Sequence, residues 1–365
     1  MSVEGIIRLL EAQGGVGSRR QLQDAGFSRR TVEVMVRRRV LVSVRRDAVV
    51  LAAALVDASP WARRALEARA VGFSLAPATA GTRNAAAHAL NHENGTTHDL
   101  NHENGAAHDL NHETGAAHAL SHESALMVHG LPYFDEDGLV HLVRTDGRRG
   151  RRDDTIWVHS PVDRGWVDEV DGLRVIRPVL AALQVAATHG EEAGLVALDG
   201  VLHRARLQDK DDDGRSDGPA TAEARRQIAE ALTLSWGPGT PAVGLVAELA
   251  DGRSESAGES RSRWLLRLLG FGPTTPQFPV LDGPMLVGRG DLKLDRWAVL
   301  IEFDGTGKYT GPGALLAEKD REDRIRALGY EVVRLRWADL TRPHLVRQRV
   351  LAAIARAEAR AAPTG

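Results

Sequence analysis

A chain of 365 residues, 43% of them hydrophobic, is long enough for two or three domains with a sizeable core. It has no cysteine, which excludes disulfides and thiolate zinc sites and fits a reducing compartment. The formal net charge is −2, yet residues 1–50 carry ten arginines against five acids, about +5, so a polyanionic partner is expected at that end.

Residues 3–13, "VEGIIRLLEAQ", predict an amphipathic helix with Val3, Ile6, Leu9 and Leu10 on one face. "GGVGS" breaks it. Ser18 can cap a second helix, "RRQLQDA", which Gly26 ends. Ser28 can cap a third, "RRTVEVMVRRR", whose apolar set is Val32, Met35 and Val36. Residues 40–52 predict two short strands around Arg45–Asp47. Three helices and a hairpin suggest a winged helix-turn-helix. Its third helix would offer Arg29, Arg30, Thr31, Arg37 and Arg38 to DNA, and its wing Arg45 and Arg46. A small helical protein-interaction module has the same pattern. Residues 58–80 predict a further helix, with Pro60 in its first turn.

A low-complexity insert follows, assigned to residues 88–120. Its period is ten, with His88, His98, His108 and His118 in one series and His92, His102, His112 and His122 in the other. All six asparagines lie within residues 84–111, and nine of the fourteen histidines within 88–129. Such a composition reads as tandem expansion of a seed, with "HALSHESALMVHGLP" as its last copy. Histidine–glutamate tracts can hold zinc or nickel. A glycine every ten residues opposes one long helix, and ten residues rotate a helix by about 1000°, so equivalent positions drift round the axis. A solvated insert is the simpler expectation.

Residues 121–250 predict a middle α/β domain. Its strands are "LVHLVR", "TIWVHS" and "LRVIR", and its helices "PVLAALQVAATHG", "EEAGLVALDGVLHRARL" and "AEARRQIAEAL". The polar stretch 249–260 marks the next boundary. From there to residue 361 the order is clear: helix "GESRSRWLLRLLGFG", strands "TTPQFPVLDG", "VGRGDLKLD" and "WAVLIEFDG", helix "ALLAEKDREDRIRALG", strand "YEVVRLRW" and a closing helix. The fold class is therefore multidomain α/β (α+β).

Chemistry concentrates in this last part. Only four of the 47 basic residues are lysines, and Lys293, Lys308 and Lys319 fall within 27 residues of one another. Lysine is a compact ammonium whose pKa can shift, a role arginine does not fill. Asp291 and Glu302 lie on consecutive strands predicted to pair, so they should meet at one sheet end, with Asp304 on the face of Glu302. Paired carboxylates suit a hard cation, and Lys308 could assist a water or a phosphate. Glu259, at the start of the first helix, is a further candidate ligand. Solvated acids beside an Asp-Gly turn are the plain alternative.

The ordered set "SRWLL", "GRGDL", "VLIEFDG" and "EKDREDRIRALGYEVVRLRWADL" resembles the PD-(D/E)XK restriction-endonuclease-like fold over about residues 254–358. It is most similar there to domains akin to very-short-patch repair endonucleases. That resemblance implies Mg²⁺ (or Mn²⁺) held by Asp291 and Glu302, with Glu259 at the helix position, and hydrolysis of DNA phosphodiesters. Asp304 stands where the signature has its lysine, leaving Lys308 and Lys319 as candidates for that role. Residues 3–52 resemble the winged-helix domain of AbiEi-type antitoxins of type IV toxin–antitoxin systems. The usual Gly-Val-Tyr of the wing is Asp47-Ala48-Val49 here. Residues 121–132 resemble the start of the middle segment of such proteins. The expected protein is a DNA-binding endonuclease, or else a non-catalytic antitoxin-like regulator. Its partners would be DNA, with a homodimer and a toxin left open. No signal-peptide pattern follows the acidic Glu4 and no apolar run approaches the roughly 20 residues of a membrane span, so a cytoplasmic location is expected.

Overall fold

The computed structural model describes residues 3–75, 117–134, 137–209, 218–305 and 312–361, with side chains of 312–318 excluded. The chain falls into two compact units, Met1–Leu131 with Asp135–Ala181, and Pro132–Phe134 with Ala182–Gly365. The residues expected to form a middle domain contribute to both.

The first unit opens with α1 (Val3–Glu11), β1 (Val16–Ser18), α2 (Arg19–Asp24), α3 (Arg29–Arg37), β2 (Leu41–Ser43) and β3 (Ala48–Leu51). Ser18 caps α2 in a reciprocal capping box with Gln21, and the Ser28 hydroxyl accepts the Thr31 N–H to start α3. These side chains satisfy amide donors that a helix start leaves open. Ile6, Leu10, Leu22, Val32, Met35 and Leu41 close one core beneath a three-stranded antiparallel sheet ordered β1-β3-β2. β1 lies in the stretch that reads as a break. Three residues between glycines and a helix cap carry too little pattern for a strand, and its existence depends on pairing Val16 with Val50.

A short α4 (Ala52–Leu55) and α5 (Pro60–Leu75) lead to β4 (His118–Leu120), α6 (His122–His129), β5 (Val140–Arg144), β6 (Arg151–Arg152), β7 (Ile156–His159), β8 (Val167–Val170) and β9 (Leu173–Ile176). They build a six-stranded mixed sheet ordered β6-β7-β5-β4-β9-β8. The insert assigned to 88–120 therefore ends earlier than expected. Its last copy supplies β4, which lies between β5 and β9 near the middle of that sheet.

α7 (Pro178–His189) contains the point where the units divide. The second unit continues through α8 (Glu191–Asp209), α9 (Pro219–Ala231) and α10 (Thr240–Leu249), the last not among the expected helices. Then come α11 (Ala257–Leu268), β10 (Thr274–Asp282), β11 (Met285–Leu294), β12 (Val299–Phe303), α12 (Pro312–Ala327), β13 (Glu331–Leu335), a one-turn α13 (Trp337–Leu340) and α14 (Pro343–Ala361). The sheet order is β10-β11-β12-β13, antiparallel except for the parallel β12–β13 pair. Leu292, Leu294, Ile301, Val333 and Leu335 pack on one face against Leu266 of α11 and Val346, Val350 and Ile354 of α14. Val280 and Leu300 pack on the other face with Ile325 of α12. A sheet covered on both faces explains the near-continuous apolar run of β12.

Candidate functional sites

The N-terminal helices present arginine. Arg30 and Arg37 on α3, Arg38 at its C-cap and Arg46 on the hairpin are exposed, while Val32 and Met35 anchor the opposite side of the helix. Arg29 is exposed and bonds Glu33 at 3.0 Å, one turn on. A half-open groove of about 530 Å³ is lined by Arg19, Gln23, Arg29, Val32, Arg46 and Asp47. Asp47 shapes that groove: its backbone carbonyl accepts the Arg19 N–H at 2.8 Å and its side chain the Arg20 N–H at 3.1 Å. Burial pushes the Asp47 carboxyl above its ordinary value. Two expected contacts change role. Arg45 donates to Asp153 at 2.9 Å and is partly buried, so it ties the hairpin to the β6–β7 turn. The Thr31 hydroxyl lies 2.8 Å from that of Ser28, within the helix start.

In the second unit the expected acids meet in part. The β11–β12 register runs as far as Leu292 opposite Ile301; continued by one residue it brings Asp291 level with Glu302, on the face that α12 covers. Asp291 Oδ2 accepts the Phe303 N–H at 2.7 Å. Glu302 Oε1 accepts from Arg321 Nη2 at 2.8 Å, and Oε2 from Arg334 Nε at 3.2 Å. Arg334 comes from the neighbouring parallel strand, paired in register with Glu302, and also binds Glu322 at 2.8 Å. Asp304 follows β12; its N–H donates to Leu335 O, and its carboxylate lies 3.4 Å from Arg336. Lys319 is exposed on α12, and Lys308 lies outside the described residues.

Glu259 requires a correction. It belongs to α11, on the opposite face of the sheet from Glu302. Its Oε1 accepts from Ser256 Oγ at 2.8 Å, and its Oε2 from the Glu255 N–H at 3.0 Å and from Gln277 Nε2 at 2.7 Å. It is a buried helix-start device that anchors β10. A serine three residues before a glutamate signals this use in the sequence itself.

The donors at Asp291 and Glu302 are all oxygen, as Mg²⁺ requires, and that ion commonly takes one or two carboxylates and completes its shell with water and substrate phosphate. The fit is to a two-carboxylate site: among the described residues, Asp291, Glu302, Asp304 and Glu259 form no convergent group of three ligands.

Sequence reasoning missed a histidine cluster in the first unit. His122, His141 and His159 bring ligand atoms within 4.8 Å of one another. His141 and His159 sit inside apolar strands, "LVHLVR" and "TIWVHS". A histidine among buried aliphatic residues is the signal that could have drawn attention to them.

No known protein family matches the sequence. Two curated relatives from Mycobacterium tuberculosis are similar to it, "Uncharacterized protein MT2308" of strain CDC 1551 / Oshkosh and "Uncharacterized protein Rv2248" of strain ATCC 25618 / H37Rv. Each is 26% identical over 211 residues, covering 57% of this chain and 72% of the relative. No solved structure matches. Among the described residues, no helix is long and apolar enough to cross a membrane.

Proposed function

We propose that the chain is a DNA-binding protein whose second unit carries a metal-dependent DNA endonuclease site. The observation that carries this reading is the cross-strand placement of Asp291 opposite Glu302 within an α-β-β-β-α-β order and a β10-β11-β12-β13 sheet. This is the arrangement that a PD-(D/E)XK nuclease core needs. Asp291 and Glu302 would hold Mg²⁺ or Mn²⁺, whose chemistry there is to neutralise a phosphodiester and lower the pKa of a bound water. Arg321 and Arg334 bring planar guanidinium forks to the same carboxylate, and such forks also match phosphate oxygens. The α1–β3 segment has the helix and strand order of a winged helix, with Arg30, Arg37, Arg38 and Arg46 facing solvent to hold the DNA backbone.

One observation favours a second reading. Each oxygen of Glu302 already carries a guanidinium, which balances its charge without a cation. A non-catalytic DNA-binding regulator, of the kind to which AbiEi-type antitoxins belong, would keep the fold and use only the arginine surface.

Supercoiled plasmid incubated with the purified chain and Mg²⁺ or Mn²⁺ separates the two. Nicking that Asp291→Asn and Glu302→Gln both abolish, with DNA binding retained, is the expected outcome. Salt-sensitive binding without nicking under either metal sinks the nuclease and leaves the regulator.

A further inference from the structure

The first unit carries a second concentration of arginine, at the end of the six-stranded sheet where β4 begins and β5 ends. We propose that this end of the sheet is a second contact for the phosphate groups of a nucleic-acid backbone. The choice of nucleic acid rests on the DNA-binding reading; the gathering of cations does not depend on it.

Strand register brings the first group together. His118 lies opposite Arg144 on the antiparallel β4–β5 pair. Leu142 is level with Val158 on the parallel β5–β7 pair, and Arg151 of β6 pairs with the same Val158. Side chains alternate along each strand, so His118, Arg144 and Arg151 share one face of the sheet. The His118 ring reports the potential there. Burial, and after it the Arg144 charge, hold it below its ordinary value; Arg151 and Arg174 add to the effect, and Asp146 opposes it.

A second pair arrives from the turn before β8 and from β9. Arg164 Nε donates to the Thr145 carbonyl at 3.3 Å. Arg174 donates to Thr145 Oγ1 and to the His118 carbonyl, each at 3.4 Å. Two guanidiniums thus converge on one residue, and among the described residues neither has a carboxylate within ion-pair reach. Arg174 is half-buried. Burial and then the Arg164 charge push it below its ordinary value, and Glu169 offsets only part of that. An anion between two such groups relieves their repulsion, and the guanidinium fork matches phosphate oxygens.

The β5–β6 loop adds cations that face solvent. Arg148, Arg149 and Arg151 are exposed on a segment of defined shape. Asp146, the one acid from residue 144 to 152, accepts from Arg144 Nε at 2.7 Å and from the Arg148 N–H at 3.2 Å. The Arg148 guanidinium stays 3.8 Å from it and 81% exposed. Gly150 lets the chain close on β7: a Cβ there would meet the Val158 carbonyl oxygen at 2.0 Å.

This strip is continuous with the wing. Arg45 of the hairpin bonds Asp153 at 2.9 Å, and exposed Arg46 follows it. Arg151 stands two residues before Asp153, about 7 Å of extended chain. A duplex carries one charge per about 1.7 Å of its axis, so a backbone held at the wing can place several phosphates along the strip. That reach favours a polyanion over a small phosphorylated molecule.

The test uses the full-length chain and a fluorescein-labelled DNA duplex, with affinity measured against salt. Arg148→Ser/Arg149→Ser should lower the slope of log K against log salt by about 1.8, and Arg164→Gln by about 0.9. Circular dichroism checks folding; should Arg164→Gln misfold, the loop variant decides. If Arg30→Ala lowers the slope while the folded loop variant keeps it, the proposal falls and the DNA-binding reading stands. A wild type that binds no duplex ends both. Thermal stabilisation by inorganic phosphate in that case, lost in Arg164→Gln, would assign the site to a free phosphate ligand and overturn the nucleic-acid contact.

Discussion

Asp199→Ala should cost the second unit far more than an ordinary surface change. Asp199 is 1% exposed on α8 and holds Arg263 of α11, 11% exposed, through Nη2 at 2.8 and 2.7 Å to its two oxygens. It also accepts from Ser260 Oγ at 2.6 Å and from the Asp251 N–H at 2.8 Å. Truncation leaves the Arg263 guanidinium buried without its counter-ion and two further donors unmatched. Breaking one side of a buried pair costs about 3–5 kcal/mol. With a urea m-value of about 3 kcal/mol/M, a loss of about 4 kcal/mol moves the midpoint by roughly 1.3 M. The assay is urea denaturation followed by tryptophan fluorescence. The double variant Asp199→Leu/Arg263→Met supplies the control. Burial already pushes the Asp199 carboxyl above its ordinary range against the pull of Arg263, so much of the attraction is spent on desolvation. The apolar pair should then recover most of the loss. A shift below about 0.3 M for Asp199→Ala, or a double variant as unstable as the sum of its singles, would refute this reasoning.

Gly258→Ala should destabilise the second unit by about 1–3 kcal/mol, because its new Cβ would meet the Phe303 ring at 2.0 Å; thermal unfolding reads the loss. Asp153 is held down at about 2, chiefly by the Thr155 and Ile156 N–H groups. A depressed carboxyl stabilises above its unfolded value and loses that contribution as pH falls through the folded one. The midpoint gap between wild type and Asp153→Asn should therefore be full at pH 6 and shrink between about pH 4 and pH 2; a constant gap contradicts the assignment. Arg30→Ala and Arg37→Ala should each reduce the slope of log K against log salt for duplex DNA by about 0.9, the share of one phosphate contact. Arg45→Ala should leave that slope unchanged, because Asp153 occupies its guanidinium.

Local chemistry was legible along much of the chain. Ser18 and Ser28 announced two helix starts, and the apolar run ending at Glu302 announced a strand covered on both faces. What stayed hidden depends on partners remote in sequence. β1 exists because Val50 pairs with Val16, and the polar strand β8, "VDEV", because Leu173 to Ile176 return beside it. The Asp291–Glu302 meeting followed from simple alternation, whereas the two arginines on Glu302 come from α12 and from β13. The histidine cluster joins residues 18 and 19 positions apart, a spacing with no local periodicity, although each strand histidine was conspicuous among aliphatic neighbours.

The capture of the last insert copy as β4 bears on how such a gene can vary. "HALSHES" at 118–124 stands in the sheet and at the histidine cluster, while the earlier units read "HDLNHET", "HDLNHEN" and "HALNHEN". Ser121, whose hydroxyl meets His122, is an asparagine in all three, at positions 111, 101 and 91. Slippage that adds or removes whole ten-residue units leaves the sequence from His118 onward untouched. Among the described residues, it is this last copy whose exact text the sheet constrains.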